Sequence, residues 1–110
     1  MKLAVIGSRK ISDISISKHI PGNVSEIVSG GARGIDTCAK KYALEHGLKL
    51  TEFLPDYKRY GRGAPIIRNK EIVNYADKIL AIWDGSSKGT LSVIKYAEKI
   101  GKPCEVVILK

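Results

Sequence analysis

Cysteine, histidine and long apolar runs are all scarce in this chain. The two cysteines, Cys38 and Cys104, show no CxxC spacing, and the two histidines form no cluster with them. This excludes a disulfide framework and a Cys/His metal centre, and it leaves both thiols as expected buried, free side chains with no metal role. No apolar stretch approaches the roughly 20 residues of a membrane-spanning helix. Met1-Lys2-Leu3-Ala4-Val5-Ile6 is too short for a signal-peptide core and reads as a strand. The expectation is a cytoplasmic chain with no membrane partner. A G-x-G-x-x-G spacing is missing too, so the dinucleotide fingerprint is not present. There is no internal repeat, low-complexity segment or second domain, and 110 residues fit one domain. Hydrophobic content of 44% with 27% charged residues excludes a disordered chain.

Acidic residues are outnumbered, 11 against 19 lysines and arginines, for a net charge of +8. In a small domain this excess suits an anionic partner: a nucleotide, a nucleic acid or phosphate. A solvated basic surface that serves solubility is the alternative, and placement decides between them.

Strand-like and helix-like patterns alternate along the chain. Strands are expected at Lys2–Ile6, Glu26–Ser29, Leu48–Leu54, Lys78–Trp83 and Cys104–Leu109. A short helix, capped by Ser12, is expected over Asp13–Ile20. After Gly34 the spacing of Ile35, Cys38, Ala39, Tyr42 and Ala43 predicts an amphipathic helix that stops at Gly47, with His46 complementing its carboxyl end. Pro55 to Gly63 reads as a loop, Pro65 suits the first turn of a third helix reaching about Ala76, and Thr90 opens a fourth that carries Val93, Ile94, Ala97 and Ile100 on one side. The alternation implies an α/β fold: a three-layer Rossmann-like parallel sheet of about five strands, order 3-2-1-4-5, with helices on both faces.

In such a sheet the strand-to-helix turns gather at the carboxyl edge, beside the point where strand order reverses. Three turns here are rich in glycine, hydroxyls and charge: Gly7-Ser8-Arg9, Gly30-Gly31-Ala32-Arg33-Gly34 and Asp84-Gly85-Ser86-Ser87-Lys88-Gly89-Thr90. Glycine lets backbone approach a ligand, and a helix start offers free N–H groups and a positive dipole end. These turns are therefore the candidate phosphate site, with Arg33 as its cation, Thr90 as phosphate ligand or helix cap, and Asp36 and Asp84 as partners for ribose hydroxyls. Asp36 alternatively only complements its helix dipole. On the third helix Asn69 shares the stripe of Ile72, Val73 and Ala76, so it either caps neighbouring backbone or shapes the site floor; Arg68 beside it either reaches phosphate or forms a surface ion pair. Lys58, Arg59, Arg62, Arg68 and Lys70, interleaved with Tyr57 and Tyr60, suit a single-stranded nucleic acid, against the alternative of a solvated loop.

Val28 to Asp36, Arg68-Asn69-Lys70 with Ile72, and the late glycine turn together resemble the Smf/DprA–LOG (SLOG) superfamily of Rossmann-like proteins. All three, with the helix after the late turn, resemble the DNA-processing DprA/Smf branch. Trp83 to Thr90 is most similar to small stand-alone SLOG proteins of bacteria, archaea and phages. The resemblance implies binding of a nucleotide-derived ligand with no required cofactor, through Gly7, Ser8, Arg9, Gly30, Gly31, Ala32, Arg33, Gly34, Asp36, Arg68, Asn69, Asp84, Gly85, Ser87, Gly89 and Thr90. Two alternatives come with it. LOG-type relatives cleave the base–ribose bond of nucleoside monophosphates with a motif glutamate whose position here is Val93; Arg68 matches their catalytic arginine, and Asp36, Asp84 or Glu71 would have to replace the missing carboxylate. DprA-type relatives bind single-stranded DNA. Relatives also dimerise through helices, which leaves a homodimer open.

Overall fold

The computed structural model describes residues 1–8, 11, 16–31 and 34–109. Five strands, β1 (Lys2–Gly7), β2 (Glu26–Ser29), β3 (Lys49–Glu52), β4 (Lys78–Trp83) and β5 (Cys104–Ile108), form one sheet. Its order is β3-β2-β1-β4-β5, and every pair is parallel. The helices are α1 (Ile35–Glu45), α2 (Tyr57–Tyr60), α3 (Ala64–Tyr75) and α4 (Lys88–Ile100).

The central strands are apolar on both faces because both faces are covered. Ala4 and Ile6 of β1 and Ile79 and Ala81 of β4 point to one side, where Ile72, Val73 and Ala76 from the α3 segment and Val93, Ile94 and Ala97 of α4 close over them. Leu3, Val5, Leu80 and Ile82 point to the other, against Ile35, Ala39 and Ala43 of α1 together with Ile16 and Val24. The period of two in the strands and 3.6 in the helices thus meet in two cores separated by the sheet.

Helix ends follow local chemistry. Gly101 takes φ +74 at the end of α4, and the N–H of Lys102 returns to Ala97 O at 2.9 Å, closing the last turn. Beyond α3 the chain turns extended at Ala76, whose carbonyl accepts from Lys102 Nζ at 2.6 Å.

Several boundaries depart from the sequence reading. The predicted loop at 55–63 is helical: Asp56 caps α2 by accepting from Arg59 N at 3.2 Å, and a 3-10 turn follows over Gly61–Gly63. The start of the expected helix at Ser12–Asp13 lies outside the described residues; its later part is a single 3-10 turn, Ser17–His19. β3 is shorter than predicted, because pairing with β2 ends at Ser29↔Glu52. Helix α4 begins at Lys88, not Thr90, since Ser87 is the residue with extended backbone that caps it. Cys38 and Cys104 are free but only half-buried, at the margins of the two cores.

At the amino edge of the sheet, Glu26 is buried, and its Oε2 accepts from Thr51 Oγ1 and from Tyr75 Oη, both at 2.7 Å. Burial pushes the Glu26 pKa up, but those two hydroxyls, with Lys49 and Lys2 nearby, outweigh it and hold the carboxyl below its usual range.

Candidate functional site

Strands β1 and β4 are distant in sequence yet adjacent in the sheet. The chain leaves β1 towards the α1 side and leaves β4 towards α4, so a crevice opens between their carboxyl ends. A cavity of about 470 Å³ lies there.

Its walls are two helix starts. Pro65, Arg68, Asn69 and Ile72 line it from α3 at the i, i+3, i+4, i+7 spacing of one helix face. Ser86, Ser87, Gly89, Thr90 and Val93 line it from the β4–α4 turn and the first turns of α4. Gly7, Gly30, Asp36 and Asp84 come from the other strand ends and from α1, and Ile6 completes an apolar floor with Ile72 and Val93. Because α1, α3 and α4 each follow a strand in this parallel sheet, their amino-terminal dipole ends share this edge.

The β2 turn is held from both sides. Ser29, fully buried, accepts the Gly31 N–H at 3.1 Å, and Gly31 takes φ +68, which only glycine adopts without strain. Arg68 Nη1 donates to Gly30 O at 2.9 Å and to Phe53 O at 3.4 Å, so one guanidinium ties the ends of β2 and β3. A Cβ on Gly30 would stand 2.6 Å from Arg68 Nη1 and 3.1 Å from Asp36 Oδ2. The absent side chain is the space in which a cation and a carboxylate meet the turn.

The β4 turn is organised by Asp84. Its Oδ1 accepts from Ser87 N at 2.8 Å, Ser86 N at 2.9 Å and Ser86 Oγ at 3.3 Å. The amide N–H groups of Ser86 and Ser87 hold the Asp84 pKa below the ordinary aspartate range, so it is ionised near neutrality. Ser87 Oγ accepts from Thr90 N at 3.5 Å and Thr90 Oγ1 at 3.3 Å, and Trp83 Nε1 donates to Ser87 O at 3.0 Å. The chain's single tryptophan is thus hydrogen-bonded to a residue of the cavity wall.

The structure brings Gly7, Gly30, Asp36, Arg68, Asn69, Asp84, Ser87, Gly89 and Thr90 to one cavity. It does not bring Ser8 there. Ser8 is fully buried; its N–H donates to Ile82 O at 3.1 Å and its Oγ accepts from Asp84 N at 3.1 Å, so it bolts the two central turns together instead of facing a ligand. Gly31 turns towards Leu54 and Glu52, Gly34 (φ +72) is the residue preceding α1, and Gly85 (φ +85) makes the β4 turn; none of the three lines the cavity. Arg9, Ala32 and Arg33 lie outside the described residues. Asn69 is half-buried and accepts from Arg68 Nε at 2.9 Å, so its partner is a side chain and not the loop backbone. Asp36, only 7% exposed, belongs to the cavity wall as well as to the first turn of α1. Ser86 was missed, although Asp followed by Gly-Ser-Ser is a turn in which the carboxylate gathers backbone N–H groups.

Outside the cavity, Leu54, Tyr57, Tyr60 and Ile66 are exposed between 38% and 66%, on the segment that leads into α3 and on its first turn. Among the described residues Lys58, Arg59, Arg62, Lys70 and Lys88 form no ion pair with a carboxylate. Arg59 and Lys70 instead lie over the rings of Tyr60 and Tyr96. Among the described residues there is no group of three or more His, Cys, Asp or Glu able to hold a metal, and no helix long and apolar enough to cross a membrane.

Neither the curated proteins nor the solved structures contain a match to the chain. The family described as DNA recombination-mediator protein A matches residues 1–56, from β1 to the end of the β3 segment, and so takes in the glycine turns after β1 and β2 but not the walls from α3 and α4. With just over half of its length matched, the chain belongs to that family.

Proposed function

We propose that this chain binds a nucleotide or nucleotide-derived ligand in the cavity at the carboxyl edge of the sheet, as a small SLOG-type binding protein. The observation that carries the reading is convergence: turns from β1, β2 and β4 and the starts of α3 and α4 open on one cavity whose volume suits a mononucleotide. The α4 start at Gly89 suits a phosphate, with Arg68 opposite. Asp36 and Asp84 suit sugar hydroxyls as carboxyl partners, Asp84 through the oxygen its turn leaves free. The apolar floor of Ile6, Ile72 and Val93 suits the face of a base. That floor also favours binding over glycosidic cleavage, because Val93 stands where the LOG-type hydrolases carry their glutamate and Asp84 is committed to its turn.

Titration with AMP, GMP, CMP and UMP, read by Trp83 fluorescence and by calorimetry, tests it. Saturable binding of at least one is expected, with no free base released on incubation. Failure of all four to bind refutes the reading; release of free base converts it to the hydrolase reading.

A second reading is single-stranded nucleic acid, favoured by family membership and by exposed Tyr57 and Tyr60 beside Lys58, Arg59 and Arg62, which among the described residues form no ion pair with a carboxylate. It predicts oligothymidylate affinity that falls steeply with salt, through counterion release, and that drops in Tyr57→Ala and Tyr60→Ala proteins. Salt-insensitive binding, or none, rejects it.

A further inference from the structure

The Arg68–Asn69 pair has a geometry that neighbouring residues on a helix do not ordinarily share. Successive side chains point about 100° apart around the axis, so i and i+1 do not naturally face each other. Here Arg68 Nε nevertheless donates to Asn69 Oδ1 at 2.9 Å, while Nη1 of the same guanidinium reaches over Gly30 to the ends of β2 and β3. Both side chains are half-buried, and both line the cavity. Nε and Nη1 lie on different edges of a rigid planar group. Fixing both removes the freedom of the guanidinium to rotate about its long stem.

We infer that Asn69 is a positioning residue: its side-chain oxygen locks the Arg68 guanidinium against the β2 and β3 ends, presetting a cation of the cavity wall for an anionic ligand. This rests on the binding reading above. A preset cation keeps its favourable contact with the anion without the entropy loss of ordering a flexible arginine on binding. It also accounts for glycine at position 30, because the guanidinium held there occupies the place a Cβ would take and would have to give way to it.

The test has two arms. In the first, Asn69→Ala, Arg68→Ala and the double variant are titrated with AMP, with thermal melts as the folding control. Asn69→Ala is expected to weaken AMP binding about tenfold, the worth of one hydrogen bond to a charged group, and to have no further effect once Arg68 is alanine. An additional loss in the Arg68→Ala background means that Asn69 touches the ligand itself, which overturns the inference, as does wild-type affinity in Asn69→Ala. In the second arm, the Arg68 Nε–H signal is followed by NMR without any ligand, assigned by its disappearance in Arg68→Lys. A slowly exchanging signal is expected in the wild type and in Asn69→Asp, which keeps the acceptor, and its loss in Asn69→Ala. An unchanged signal in Asn69→Ala overturns the inference. If none of AMP, GMP, CMP and UMP binds the wild type, the binding reading falls, while this second arm still decides whether Asn69 orders Arg68.

Discussion

Replacing Gly7 with alanine tests how tightly the two central strands are held at the mouth of the cavity. Gly7 does not take positive φ, so alanine brings no backbone strain of its own. The obstacle is contact. A Cβ at this position would stand 2.4 Å from the Ile82 carbonyl oxygen on β4, and 2.5 and 2.7 Å from Cγ1 and Cβ of Ile35 at the start of α1. None of these atoms is the loose end of a side chain. β1 and β4 must part, or α1 must lift from the sheet, and either movement strains the adjacent bond from Ser8 N to Ile82 O. Overpacking of a close-packed core costs about 1–3 kcal/mol, and a weakened buried backbone hydrogen bond adds about 1 kcal/mol. The expected loss is about 2–4 kcal/mol, a large share of the total stability of a small domain, equivalent to a fall in Tm on the order of 10 °C. Paired urea and thermal denaturation of Gly7→Ala and wild type measure it. A Tm within about 2 °C of wild type would refute the claim that glycine is needed here for close approach of sheet and helix.

Gly30→Ala makes the contrasting case. Its Cβ meets the far end of Arg68, which can swing aside, so stability should fall by only about 1.5 kcal/mol, the value of the guanidinium hydrogen bonds given up, while AMP affinity in calorimetry falls with it; a loss as large as that of Gly7→Ala would contradict this. Asp84→Asn keeps an acceptor for Ser86 and Ser87 but removes the titration. A carboxyl held below its ordinary pKa stabilises the fold above the unfolded value and loses that contribution as pH falls through the folded one; the Tm gap between wild type and Asp84→Asn should narrow below about pH 4, and a gap constant with pH counts against the turn's dependence on charge. Tyr75→Phe deprives buried Glu26 of one of its two hydroxyl donors. It should cost about 1–2 kcal/mol in urea denaturation and shift acid unfolding to higher pH, because the depression of the Glu26 pKa is partly released.

The chain's periodicities alone determined much of this protein. Alternation of short β-branched runs with helical stripes specifies parallel βαβ units, and the right-handed crossover rule leaves few strand orders, of which 3-2-1-4-5 is the one found. Once that order holds, the carboxyl-edge turns are neighbours by topology, so the cavity's place and most of its lining were readable from glycine turns and helix starts.

Side-chain partners were not readable, because they depend on distances between segments far apart in sequence. Ser8 and Thr90 look alike as hydroxyls in glycine turns, yet the approach of β1 to β4 buries Ser8 against Asp84, while the α4 start leaves Thr90 on the cavity wall. Asn69 sits among apolar positions of its helix, and only the passage of Arg68 across Gly30 gives its amide a partner. Helix α2 is too short to carry a periodic signal, and the Asp56 cap that starts it is a local contact among polar residues that otherwise read as loop. Sequence pattern set the layers and the edge where they open, because burial acts through periodicity; tertiary packing decided which polar groups there serve the fold and which line the cavity, because hydrogen bonds act through distance.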